Sequence, residues 1–340
     1  MAMHRNKTMI GIGIAVICYL LGPFVLSDYM LYLINLAAIA TIGAVGLNIL
    51  TGYTGLIAMA NGAFIGVGAY TAAVLYTKLG VPFLLTIPIA GLMTAVVGMI
   101  FGIPALRLRG FYLAMSTLAA QILLMFVFNN WTSITSGERG IFLSPPNLFG
   151  ISLVGDRGFF FLTVGIAALG MLLSHNLFKT DTGRAFIAIR DRDIAANIIG
   201  VDIFKYKLTS FAISSFYAGV AGALFGFYMT YVSPEAFGLN VSIDYIAMII
   251  VGGLGNLWGG LLGAVFVVIL PEFVDKVIEF VGQFIPMEYT FAAFRQLVFG
   301  LLIIIFLVWE PKGLTEILRR LFCWLKAKIF SPRSEVESLE

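Results

Sequence analysis

Ten runs of roughly 20 apolar residues follow one another along this 340-residue chain, at about 8–27, 29–50, 56–78, 83–106, 111–128, 158–178, 208–231, 239–254, 257–282 and 289–309. A helix needs about that length to cross a bilayer. Stretches such as Leu301–Val308 lack the alternation of a barrel strand, and helices are the other form that satisfies every backbone polar group inside lipid. Composition agrees: 60% of residues are hydrophobic and 11% charged, against about 25% charged in a soluble domain. A mean hydropathy of +0.99 leaves more apolar surface than a water-soluble globule can bury. The expected fold is all-α, a polytopic inner-membrane helical bundle of about ten spans.

The first run follows Arg5 and Lys7 in the manner of a signal peptide, but no small-residue cleavage motif follows it, so we read it as a retained helix. With the N-terminus cytoplasmic, ten spans return the C-terminus to the same side and put 16 of the 21 Lys and Arg residues there, as the positive-inside rule requires. Residues 1–310 then form the membrane domain and 311–340 a cytoplasmic tail. Two connections are long. Segment 129–157, outside, carries Pro145, Pro146 and several glycines and reads as an ordered surface loop. Segment 179–207, inside, holds six basic and four acidic residues among regularly placed apolar ones. The boundary between the short eighth run and the long ninth falls at Gly252–Asn256, where three glycines and an asparagine permit a sharp reversal.

Several chemistries are excluded. Cys18 and Cys323 lie at opposite ends, and His4 and His175 are the only histidines, so no metal site is expected. No G-x-x-x-x-G-K-[ST] occurs, so no P-loop is present to hydrolyse ATP. A net charge of +3 does not suggest nucleic acid. Asp244, Glu272, Asp275 and Arg295 lie in apolar runs, all within reach of the outer interface, and no midplane carboxylate presents itself for ion coupling. The neutral polar residues Asn35, Asn48, Asn61, Ser116, Thr117 and Gln121 lie deeper. They serve either as interhelical hydrogen-bonding groups or as contacts along a passage. Four G-x-x-x-G steps, at Gly62–Gly66, Gly98–Gly102, Gly222–Gly226 and Gly259–Gly263, allow backbones to approach, for static packing or for sliding.

Within 179–207, Thr182–Asp193 reads as a short helix of mixed faces. After it, Asp193-Ile194-Ala195-Ala196-Asn197-Ile198-Ile199-Gly200 has Asp193 as N-cap and Gly200 as the left-handed terminator. Ile194 and Ile198 share a face. Such a segment suits either a groove on another protein or the inner leaflet.

These residues resemble a known family. Ala195-Ala196-x-x-x-Gly200 resembles the core of the EAA loop of ABC import permeases, with Ile194 in place of the usual glutamate. Gly46–Gly55, Asn61–Tyr70, Leu106–Ala114, Thr135–Gly140 and Gly252–Gly259 look like motifs of the branched-chain amino acid permeases, in order, and point to the LivM-type subunit. Asn61 departs from a histidine common in the family. The resemblance implies an importer of leucine, isoleucine and valine, not an enzyme, in a bacterial or archaeal inner membrane. Its implied partners are a second homologous permease, two ABC ATPases that bind the ATP and Mg, and a periplasmic or lipid-anchored binding protein. It implies coupling through Arg184, Arg190, Arg192, Asp193, Ile194, Ala195, Ala196 and Gly200, with the tight contact at Ala196. Asn35, Asn48, Asn61, Ser116 and Gln121 are the candidates for the path. Glu138, Arg139, Asp156, Arg157 and Glu235 are those for docking the binding protein. The same architecture importing urea, short amides, sugars or nucleosides is the alternative, followed by a stand-alone secondary carrier.

Overall fold

Ser27 has an extended backbone, and its hydroxyl accepts a hydrogen bond from the Met30 amide, so the first long helix begins at Asp28. In this computed structural model the described residues are Tyr19 and 22–282, less 24, 109, 149–150 and 153–154, with 300, 301, 304, 313–317, 319 and 320. The first and tenth expected spans, Cys18, Cys323, Lys312 and the tail beyond 320 lie wholly or largely outside them. The other eight expected spans each overlap a helix.

The long helices are α1 (Asp28–Asn48), α2 (Asn61–Leu79), α3 (Phe83–Ala105) and α4 (Phe111–Asn130). A short α5 (Thr132–Thr135) precedes α6 (Asp156–Leu177), and two surface helices follow, α7 (Asp181–Asp191) and α8 (Asp193–Ile198). The series closes with α9 (Ile203–Met229), α10 (Leu239–Gly252) and α11 (Leu257–Gly282). Seven of the described helical stretches are long and apolar enough to span a membrane. The eighth, α2, falls short of that hydropathy because it is rich in Gly, Ala, Asn, Tyr and Thr, and it sits deep in protein: every residue from Asn61 to Tyr70 is buried.

Helices α1, α2 and α9 form the centre, and every residue from Ile39 to Leu50 is buried. Helices α3, α4 and α6 turn one face outward, where Leu92, Ile100, Ile122, Phe126, Leu169 and Leu172 are exposed. In lipid these apolar faces need no cover, so the centre is fixed by close packing rather than by withdrawal from water. The glycines make that packing possible. A Cβ at Gly222 of α9 would overlap the Ile65 carbonyl of α2, and one at Gly263 of α11 would overlap the Met248 carbonyl of α10.

Two expectations are corrected. The span read as 56–78 begins only at Asn61. Helix α1 runs on through a π-helical turn, Ile49–Tyr53, Gly55 then takes φ +77°, and residues 55–60 return into the protein without helical structure. Segment 129–157 is more than a surface loop. Its strand β1 (Ile141–Phe142) pairs antiparallel with β4 (Tyr231–Val232), and β2 (Asn147–Leu148) pairs with β3 (Ile151–Ser152). Thr135–Gly140 shapes the entry: Ser136, Gly137 and Gly140 are all left-handed, and the Gly137 amide donates to Thr135 Oγ1 at 3.2 Å.

The reversal expected at Gly252–Asn256 is present. Gly253 has φ +119° and Gly255 φ +71°, and α10 and α11 pack against each other on either side. This turn lies at the same end of the bundle as segment 179–207, since Arg190 reaches it. We call this the basic end. The end carrying 129–157 is the loop end.

Candidate functional site

The basic end is built from the surface helices outward. Thr180 caps α7, its hydroxyl accepting from the Gly183 amide at 3.4 Å. Phe186 is fully buried and meets the Tyr206 ring edge-on, which anchors α7 to the foot of α9. Arg184 pairs with Asp181 on the surface, and Arg192 is exposed.

Helix α8 differs from expectation at two residues. Arg192 occupies the N-cap position with an extended backbone and no side-chain cap bond, and Asp193 is the first helical residue. Asp193 therefore contributes its charge to the first turn rather than a capping bond. Ala196 is 2% exposed: it packs inward on this chain and is not presented to a partner. What the segment presents is Ile194, Ile198 and Ile199, exposed to 72%, 81% and 76%, together with Ala195. Gly200 is left-handed, at φ +90°, as its position after α8 requires. Three isoleucines in a row of charged neighbours form an apolar patch outside the spanning helices.

Four of the five interior candidates, all but Ser116, fall at three separate junctions. At the basic end, Asn48 Nδ2 donates to the Asn256 carbonyl at 2.7 Å and its Oδ1 accepts from the Gly255 amide at 3.0 Å, locking the α10–α11 turn onto α1. Toward the loop end, Asn35 Nδ2 donates to the Asp156 carbonyl at 2.8 Å, and Asn35 Oδ1 accepts from Thr163 Oγ1 at 2.7 Å. The third junction lies near the middle of α4. Gln121 Oε1 accepts from the Ala63 amide at 2.8 Å and from Ser242 Oγ at 3.1 Å, while Gln121 Nε2 donates to the Phe237 carbonyl at 2.8 Å. Ser242 Oγ in turn accepts from the Gly62 amide at 2.8 Å, and Thr117 Oγ1 accepts from the Met59 amide at 2.9 Å.

This third junction has a physical reason. Helix α2 starts inside the protein, and its first amides have no carbonyl one turn back. The site is buried, and side chains of α4 and α10 take those bonds. Asn61 opens α2, and its Nδ2 is buried without a partner among the described residues. Ser116 is half-buried on α4. Sequence reasoning misses Ser242; a lone serine two residues before Asp244 in an apolar run is the available signal. It also misses the π-helical turn, for which the sequence offers no pattern.

At the loop end, Glu138, Arg139 and Glu235 are exposed, and the β1–β4 pairing holds their segments together, with Tyr231 OH donating to the Arg139 carbonyl at 3.1 Å. Asp156 and Arg157 sit apart from them: Tyr228 OH donates to Asp156 Oδ1 at 2.6 Å, and Arg157 pairs with Asp28 at 3.1 Å. Tyr29 OH donates to Glu272 near the same end.

A family model described as branched-chain amino acid transport system / permease component matches residues 29–307. The high-affinity branched-chain amino acid transport system permease protein LivM of Escherichia coli is 33% identical over 87% of this chain and 72% of the relative. Two proteins of Methanocaldococcus jannaschii are also similar. Its probable branched-chain amino acid transport permease protein LivM is 27% identical over 68% of this chain and 67% of the relative. Its probable LivH is 31% identical over 65% and 72%. No solved structure matches the chain. The multi-pass apolar bundle, the glycine-built turn at 252–256 and the extent of the match together make this chain a member of the branched-chain amino acid transport permease family, and so a transport protein of the membrane.

Proposed function

We propose that this chain is the LivM-type membrane subunit of an ABC importer that carries leucine, isoleucine and valine into the cytoplasm. In this reading it pairs with a second homologous permease and is driven by two ATPase subunits that bind ATP and Mg. Substrate comes from a periplasmic or lipid-anchored binding protein. The basic end faces the cytoplasm, a reading supported by the helix ends and connections. Arg107, Lys179, Arg184, Arg190, Arg192, Lys205 and Lys207 cluster at that end, against Lys78, Arg139, Arg157 and Lys276 at the other.

The observation that carries the reading is the exposed row Ile194, Ile198 and Ile199 on the short helix at the basic end. A helix offering apolar side chains outside the lipid suits a groove on a partner, and here the partner is the ATPase. Glu138, Arg139 and Glu235, held together at the loop end, are the proposed contact for the binding protein, with Asp156 and Arg157 as a second, separate contact at the same end. Asn61 and Gln121, where α2 and α10 both begin, are the proposed polar stretch of the path; Asn35, Asn48 and Ser116 flank it.

The test is Ile198→Glu in the complex co-expressed with its neighbouring ATPase genes. A charge placed in the apolar contact abolishes ATPase co-purification, while the chain still inserts and purifies with its sister permease. Full ATPase recovery with Ile198→Glu assigns the row to the leaflet surface instead.

A further inference from the structure

Arg190 stands within the segment just assigned to ATPase contact, yet its side chain points the other way. Its Nη1 donates to the Gly52 carbonyl at 2.7 Å. Among the described residues this is the one side-chain hydrogen bond between 181–198 and a spanning helix. Gly52 lies in the π-helical turn that ends α1, where the last carbonyls have no helical donor and a cation is favoured by the helix dipole.

The same spot joins two more helices. Gly52 is wedged between Asn48 and the Gly255 amide, with no room for a Cβ. Asn48 holds both Gly255 and Asn256, and the Arg190 guanidinium also lies against Gly255. One guanidinium thus links the exposed segment to the end of α1 and to the turn that joins α10 and α11. Gly313 packs on Gly252 and Gly253 of that turn as well. Ring contacts also hold this region: Phe186 lies against Tyr206, and just before the segment Phe178 stacks on Tyr53 with ring centroids 3.6 Å apart. Apolar faces slide, whereas a hydrogen bond to a fixed carbonyl transmits direction.

We propose that Arg190 is a positioning residue that carries displacement of 181–198 into α1, α10 and α11, rather than a contact to the ATPase. The proposal rests on the coupling role given to this segment above. A planar guanidinium with several donors suits the task. A lysine keeps the charge at the helix end but not the fixed geometry.

The test uses the whole transporter, with both permeases, the ATPases and the binding protein, reconstituted in proteoliposomes. Leucine uptake and ATP hydrolysis are measured together. Arg190→Ala retains ATPase co-purification and basal hydrolysis, and leucine carried per ATP falls by about tenfold or more, as the loss of a typical coupling free energy gives. Arg190→Lys shows a smaller fall in the same ratio and serves as the readout if the alanine variant does not accumulate. A purely structural role lowers the amount of assembled complex but leaves the ratio unchanged. An unchanged ratio in the variants that assemble overturns the proposal. So does loss of ATPase co-purification in Arg190→Ala, which makes Arg190 a docking contact. Ile198→Glu run in parallel tells the two failures apart, because it tests docking alone.

Discussion

Replacing Gln121 by leucine tests how the interior start of α2 is stabilised. The two side chains are close in volume, so the change removes hydrogen bonds without opening a large cavity. Gln121 is 1% exposed, and its amide serves the Ala63 N–H, the Ser242 hydroxyl and the Phe237 carbonyl. Interhelical hydrogen bonds inside membranes contribute about 0.6 kcal/mol on average and at most about 1.7, so three bonds give about 2–5 kcal/mol. The lower end applies if Ser242 finds another acceptor after the substitution. At about 2 °C per kcal/mol for a chain of this size, Gln121→Leu lowers the melting midpoint of the detergent-purified protein by about 4 °C or more. Membrane proteins often unfold irreversibly, so the comparison is made at one fixed scan rate. Gln121→Glu falls between the two. A buried carboxyl is held neutral, and it then has an oxygen to accept from Ala63 and an O–H to donate to Phe237. A leucine variant that melts within about 1 °C of the wild type refutes the argument, and means that α2 does not depend on α4 for its first amides.

Two other outcomes follow from the packing. Gly222→Leu forces α9 away from the Ile65 carbonyl of α2, costs about 3 kcal/mol or more by overpacking, and abolishes the monodisperse peak on size-exclusion chromatography; an unchanged peak for this variant contradicts the close approach. A cysteine introduced at Asn256, in the turn joining α10 and α11, reacts with an impermeant thiol reagent from the cytoplasmic face alone. Labelling in intact cells from outside reverses the orientation proposed for the basic end.

The sequence by itself determined the class of fold and most of its helix boundaries. Span-length apolar runs leave helices as the only economical form in lipid, and Gly253 and Gly255 mark the turn between α10 and α11 because few other residues accept positive φ. It also supplied the apolar spacing of Ile194 and Ile198, since that spacing is local. Side-chain direction is not local, and there the tertiary structure decided. Ala196 and Arg190 read as surface residues of the same kind as Ile198, yet one is buried and the other reaches Gly52, because α7 packs on the ends of α1 and α9, and α8 packs on α9. Asn35, Asn48 and Gln121 read alike as polar residues in apolar runs. Their partners stand 121, 208 and 58 positions away along the chain, at three different places in the bundle. No periodicity encodes such partners, because they are set by which helix ends meet once the glycine faces have closed.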